Sequence, residues 1–209
     1  MRLIAEKLSR SYSGRRIFGP LSFEVAGGQA LGISGRNGAG KTTLLKTIAG
    51  LIRPSLGSVM FERDSGPRLD AVAVRPFLGW AAPDLALYGE LSGLENLAFF
   101  HEVSGFAFDE AAARVRLESL GLPRRAASVP TRTLSTGQRQ RLKLAFATSR
   151  VPSFLLLDEP SANLDAEGFR AVASIVEEQT ARGGVAIIAS NDPRDLGLAS
   201  ATLDLGEGH

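Results

Sequence analysis

Over the first sixty residues, apolar positions come in short bursts with the spacing of strands. Residues 2–8, 21–25, 30–34 and 58–61 alternate apolar with polar or run apolar throughout, and turn dipeptides such as Ser13-Gly14 and Gly27-Gly28 separate them. Within this region only residues 41–49 carry apolar residues at helical spacing, a helix that stops at Gly50. From Leu91 to Ala147 the period is helical. Ser92-Gly93-Leu94-Glu95 reads as a capping box, and Asp109 as the cap of a segment ending at Gly121. Strands and helices then alternate again: a buried strand at 154–157, a helix at 166–181, an apolar strand at 185–189 and a short one around 202–205. Apolar runs joined by helices predict parallel strands covered on both faces. No internal repeat, heptad array or low-complexity tract interrupts the pattern. The expectation is a single α/β unit: residues 1–80 and 151–209 form a core with an antiparallel β portion, and a helical subdomain is inserted at about 84–150.

Candidate chemistry begins where the strand at 30–34 meets the helix at 41–49. Gly35-Arg36-Asn37-Gly38-Ala39-Gly40-Lys41-Thr42-Thr43 matches G-x-x-x-x-G-K-[ST] in the strand-to-helix context that the pattern requires. Its glycines let backbone N–H groups wrap phosphates, and the helix N-terminus adds positive partial charge. Lys41 reaches the β- and γ-phosphates, and the Thr42 hydroxyl can ligate Mg²⁺. A second strand, Phe154-Leu155-Leu156-Leu157, ends in the adjacent carboxylates Asp158 and Glu159. Neighbours at a strand end point in different directions, so two roles are open: Asp158 for Mg²⁺, directly or through water, and Glu159 to deprotonate the water that attacks the γ-phosphate. At Leu134-Ser135-Thr136-Gly137-Gln138 a Ser/Gly turn feeds an amphipathic helix, which makes a second phosphate-binding helix N-terminus. One nucleotide cannot easily use two such termini from one subunit. The pair suggests a nucleotide sandwiched between subunits.

Composition narrows the alternatives. A chain of 209 residues with 44% apolar content supports one large core. There is no cysteine, which removes disulfides and thiolate metal sites, and His101 and His209 are the only histidines, each expected to be solvated or capping. No stretch approaches the roughly 18 apolar residues of a membrane span, and the N-terminus lacks a signal-peptide core, so a cytoplasmic protein is expected. Net charge is +2, yet residues 109–150 hold nine Lys/Arg against three Asp/Glu. A basic lobe can address nucleic acid or anionic lipid; a solvated helical face that also steers ATP is the more economical reading.

Together these motifs resemble the ATP-binding cassette of ABC transporters, in that family's order and over essentially the whole chain. The resemblance implies a P-loop NTPase cassette with a β-rich N-terminal subdomain, a mostly parallel core sheet and an inserted helical subdomain. It implies ATP and Mg²⁺ as cofactors. It places Tyr12 where an aromatic stacks on adenine, and Ser161-Ala162-Asn163-Leu164-Asp165 as the D-loop that touches a partner's phosphate loop. Each ATP would be held by Gly38, Gly40, Lys41 and Thr42 of one subunit and by the signature residues Ser135, Gly137 and Gln138 of the other. The pair, homodimer or heterodimer, would drive a separate transmembrane permease from the cytoplasmic face, with the loop at residues 77–88 as the groove that receives the permease's coupling helix. The compact length is similar to that of small bacterial exporter ATPases, including the haem-exporter type of cytochrome c biogenesis.

Three positions depart from the family pattern. Thr136 replaces a signature glycine, while Gly137 is kept. No glutamine occurs near Trp80-Ala81-Ala82-Pro83-Asp84, where the family senses the γ-phosphate and Mg²⁺; counted back from Glu95-Asn96-Leu97, Pro83 or Asp84 stands there. Asp84 is preferred, because a carboxylate accepts a Mg²⁺-bound water and proline offers no side-chain ligand. Asn191 stands where the family has its switch histidine; an amide can donate to a γ-phosphate oxygen but is shorter and carries no proton. A soluble ABC ATPase of DNA or ribosomes usually has a long coiled coil or two cassettes, and neither is present, so no nucleic acid partner is expected. A weakly hydrolysing regulatory module is the other alternative; Lys41, Asp158 and Glu159 argue against it.

Overall fold

The computed structural model describes residues 1–64 and 66–206; His209 lies outside them. Two sheets divide the strands. β1 (Arg2–Tyr12) and β2 (Arg15–Ala26) form a hairpin over Ser13 and Gly14, both at positive φ (47° and 81°), and β4 (Leu56–Glu62) and β5 (Leu69–Asp70) complete an antiparallel sheet in the order β2-β1-β4-β5. The hairpin strands outrun the predicted 2–8 and 21–25. Their ends, Ser11 opposite Arg16 and Tyr12 opposite Arg15, pair through backbone and show no apolar alternation.

The second sheet contains β3 (Ala30–Ser34), β6 (Leu78–Ala81), β7 (Phe154–Asp158), β8 (Val185–Ala189) and β9 (Ala201–Asp204) in the order β6-β7-β8-β3-β9, with every neighbouring pair parallel. Successive residues of β7 and β8 serve opposite cores. Leu155, Leu157, Ala186 and Ile188 face a cluster that includes Leu97, Leu117, Leu142 and Val172, while Phe154, Leu156, Val185 and Ile187 face Leu44, Leu45, Ile48 and Phe61. Burial on both faces is what made these strands read as unbroken apolar runs.

Around the sheets lie α1 (Lys41–Ile48), α2 (Gly93–Val103), α3 (Glu110–Ser119), α4 (Arg124–Ala127), α5 (Thr136–Thr148), α6 (Ala166–Ala181) and α7 (Pro193–Leu196). The chain runs through α2–α5 between the paired strands β6 and β7. The expected capping box is present: Ser92 Oγ accepts from Glu95 N at 3.2 Å and Glu95 Oε2 accepts from Ser92 N at 2.7 Å. Asp109 Oδ1 accepts from Ala112 N at 3.0 Å, and α3 closes at Ser119, two residues before Gly121 takes a φ of 75°. His101 joins two segments, its ring nitrogens 3.0 Å from Ala107 O and 3.0 Å from Ser149 Oγ.

The reading of residues 77–88 as a loop is corrected in part: Leu78–Ala81 is an edge strand of the parallel sheet, paired with residues 154–157. Four residues, one of them Gly79, are too few to show a period. Gly79 is there because α5 crosses it closely; a Cβ at that position would meet Ala147 O at 2.1 Å. Gly79→Ala is expected to cost about 1–3 kcal/mol through overpacking, read as a lower urea midpoint with an unchanged slope.

Candidate functional site

The carboxyl ends of β3, β7 and β8, three adjacent strands, supply the chemistry, as open parallel sheets commonly do. β3 leads into the glycine-rich loop, where Gly35, Gly38 and Gly40 take φ values of 142°, 85° and 96°. Gly40 is required twice over, since besides its positive φ a Cβ would lie 2.8 Å from Ile17 Cγ2 and 3.0 Å from Ile17 O. It caps α1 without a side chain, and Leu44 N to Gly40 O at 2.8 Å is the first bond of the helix. The N–H groups of Lys41, Thr42 and Thr43 precede it at the helix N-terminus, where backbone donors and the helix dipole favour an anion.

Lys41 is buried and its ammonium is spread over three oxygens: Gly35 O at 2.6 Å, Arg36 O at 3.4 Å and Asn191 Oδ1 at 2.7 Å. Asn191 donates through its other amide atom to Asn37 Oδ1. The switch position and the phosphate loop thus meet through one amide group. Thr42 Oγ1 donates to Asp158 Oδ2 at 2.7 Å. Two oxygens so placed fit Mg²⁺, a hard cation whose adjacent octahedral ligands stand about 2.9 Å apart. Asp158 is 1% exposed, and burial pushes its carboxyl above the usual range; the charges of Glu159 and Asp84 add to this, while the Thr42 hydrogen bond and Lys41 oppose it.

The adjacent carboxylates diverge. Glu159 sits at a φ of 47°, its N–H continues the ladder to Ala189 O at 2.8 Å, and its Oε2 accepts from Ser190 Oγ at 2.9 Å. A left-handed residue directly after a buried strand separates the two side chains and is a strained conformation of the kind found at active sites.

Other candidates lie around this centre. Tyr12, 43% exposed at the hairpin tip, has the Arg10 guanidinium 4.2 Å from its ring centroid. Ser135 and Gln138 cap α5 reciprocally, Ser135 Oγ accepting from Gln138 N at 3.2 Å and Gln138 Oε1 from Ser135 N at 3.0 Å. Gly137 faces the segment 161–165, where a Cβ would come 3.0 Å from Asn163 O. Asp84 is 55% exposed and bound to Lys46 of α1, and Lys143 of α5 donates to the carbonyls of Ala82 and Pro83. The segment 82–84 is therefore held from both the phosphate-loop helix and the signature helix.

The profile of the ABC transporter family matches residues 18–162. The chain belongs to the ABC transporter family. It carries that family's ATPase cassette. The chain is 37% identical over 206 residues to the cytochrome c biogenesis ATP-binding export protein CcmA of Rhodopseudomonas palustris strain HaA2, covering 99% of this cassette and 98% of the relative. The CcmA of Rhizobium meliloti strain 1021 is 36% identical over 96% of this chain and 95% of its own. Among solved structures, the cassette MJ0796, described as a dimeric bacterial ABC transporter cassette, superposes with a TM-score of 0.88 at 21% identity, covering 99% of this chain and 95% of that one. A putative ABC transporter ATP-binding protein of Pyrococcus furiosus gives 0.83 at 22% identity and 98% coverage of both chains.

Several contacts around the site went unread in the sequence. Gln140, two residues past the signature, donates to Pro160 O at 2.9 Å and Glu159 O at 3.3 Å, and so ties the signature helix to the acidic strand end. Arg141 reaches Leu120 O at 2.7 Å and Asp165 at 2.8 Å. Ser190 and Asp195 close in behind Glu159. Of these, only the buried polar positions on the apolar face of a helix, Gln140 and Arg141, could have been noticed as anomalies of the pattern.

Proposed function

We propose that this cassette binds ATP at Gly35–Thr43, hydrolyses it with Glu159 as general base, and works as one half of a dimer that drives a membrane permease. The observation that carries this reading is that three adjacent strand ends bring together the Lys41–Asn191 bond, the Thr42–Asp158 bond and Glu159, which Ser190, the neighbour of Asn191, holds. The amides of the loop and Lys41 bind the β- and γ-phosphates, with Lys41 exchanging loop carbonyls for phosphate oxygens. Glu159 takes the proton of the attacking water. Asn191 orients Lys41 and donates toward the γ-phosphate. Thr42 and Asp158 would hold Mg²⁺, with Asp84 as a further candidate ligand if it leaves Lys46; the ion would supply neutralisation of phosphate charge. Tyr12 stacks on the adenine, and the partner's Ser135–Gln138 turn completes the site.

The relatives' names, ATP-binding export proteins of cytochrome c biogenesis, support export as the class of transport. No described helix is long and apolar enough to cross a membrane. The subunit would rest on the cytoplasmic face, with residues 77–88 receiving a separate permease. A nucleic acid partner is disfavoured by the basic lobe itself. Arg114, Arg116, Arg124, Arg132 and Arg141 each hold a carboxylate of this chain.

Phosphate release from ATP and Mg²⁺ by the purified chain tests the reading. Turnover is expected to fall about tenfold in Asn191→Ala, the effect of losing one charge-assisted hydrogen bond, and to rise in Asn191→His. No phosphate release by the unmodified chain and its partners would refute ATP hydrolysis; unchanged turnover in both variants removes position 191 from the mechanism.

A further inference from the structure

Behind Glu159, one hydroxyl group stands between two carboxyl groups. Ser190 Oγ lies 2.9 Å from Glu159 Oε2 and 2.8 Å from Asp195 Oδ2, and it accepts the N–H of Asp192 at 3.0 Å. A serine hydroxyl has a single proton to donate. With both acids ionised, one of these two O···O contacts would hold lone pairs and no proton, in a buried setting. One acid therefore carries a proton and donates to Ser190, whose own proton goes to the other.

Burial decides which. Asp195, on α7, is 0% exposed, whereas Glu159 is half-buried. α7 packs on β3 and β8, and neither strand has an ionisable side chain. The charged groups facing Asp195 are Asp192 and Arg194 of its own turn, and Glu159 across Ser190; Arg194 is engaged by Asp192 at 2.6 Å. Desolvation pushes the Asp195 carboxyl above the usual range, opposed by the nearby Ser190 and Ser161 groups and reinforced by Asp192. Although Ser161 is near, Asp195 Oδ1 has no partner at hydrogen-bonding geometry. A neutral acid tolerates that state far better than a carboxylate.

Resting on the reading of Glu159 as general base, we propose that Asp195 is a protonated positioning residue: its Oδ2–H donates to Ser190 Oγ, whose O–H donates to Glu159 Oε2. The chain of donors runs one way. It holds the Glu159 carboxylate in one orientation for the attacking water. The proton order also predicts a fall in turnover as pH rises through the range in which Asp195 loses its proton, since two carboxylates then compete for one hydroxyl proton and the hold on Glu159 fails.

Three variants and one spectroscopic measurement test this. Asp195→Asn still offers an N–H to Ser190, Asp195→Ala offers nothing, and Ser190→Ala cuts the link. Asp195→Asn is expected to keep kcat within about twofold and to lose the fall tied to the Asp195 proton, while the other two lose on the order of tenfold in kcat with little change in KM for ATP, the scale seen when an orienting partner is removed. Infrared spectroscopy of the nucleotide-free protein at neutral pH should show the carbonyl stretch of a neutral carboxyl group that is missing from Asp195→Asn. If that band persists in Asp195→Asn, or if Asp195→Asn is as impaired as Ser190→Ala, the protonated assignment is wrong. Should Asp195→Ala not fold, the isosteric Asp195→Asn and the small Ser190→Ala still decide. Normal turnover in Ser190→Ala alongside a dead Glu159→Gln defeats the positioning role alone, whereas an active Glu159→Gln defeats the general-base reading whatever the spectrum shows.

Discussion

Glu159→Gln lowers steady-state ATP turnover by about 10²–10⁴-fold, the contribution of a positioned general base, while ATP still binds. The change removes the proton acceptor and little else. Glutamine keeps an oxygen for the Ser190 hydroxyl that now meets Glu159 Oε2 at 2.9 Å, and the backbone bond from residue 159 to Ala189 O is untouched. Nucleotide binding would rest on the phosphate loop, whose Lys41 bonds to Gly35 O and Asn191 Oδ1 do not involve residue 159. Because closure of two cassettes on ATP would be reversed by hydrolysis, the same variant with ATP–Mg²⁺ is expected to elute from gel filtration as a dimer. A variant that turns over normally refutes the general base, and one that stays monomeric refutes the sandwich of two identical chains.

Lys41→Ala acts one step earlier and weakens ATP binding by on the order of 100-fold, the loss of one or two charge-assisted hydrogen bonds at 1.5–3 kcal/mol each. Two effects combine. The phosphates lose their ammonium, and Gly35 O, Arg36 O and Asn191 Oδ1 lose the donor they share. Titration calorimetry reads the affinity directly. Undiminished affinity would mean that the loop's amides alone hold the nucleotide, and Lys41 would then have to be assigned to a later step.

What could be read in the sequence divides from what could not along the range of the interactions. The Ser92–Glu95 box and the Ser135–Gln138 pair each join residues three apart, so they lie inside one window of sequence. The helix at 166–181 and the strand at 185–189 were placed to the residue because amphipathic and fully buried patterns have a period or a run of their own. Leu78–Ala81 had neither. It is a strand only because β7 lies beside it and α5 permits a glycine there. The departure from the family pattern at Asp84 could be seen, but its pairing with Lys46 across 38 residues could not.

The sequence by itself determined the chemistry on offer. It placed a phosphate loop with Lys41 and Thr42, an acidic pair at a strand end, and a capped signature turn, because each is a local arrangement of backbone and side chain that few other sequences satisfy. The tertiary structure decided how these parts act on one another. Thr42 meets Asp158 across 116 residues, Lys41 meets Asn191 across 150, and Glu159 meets Ser190 and, through it, Asp195. The parallel sheet brings those distant strand ends together, and no periodicity along the chain encodes which ends will be neighbours.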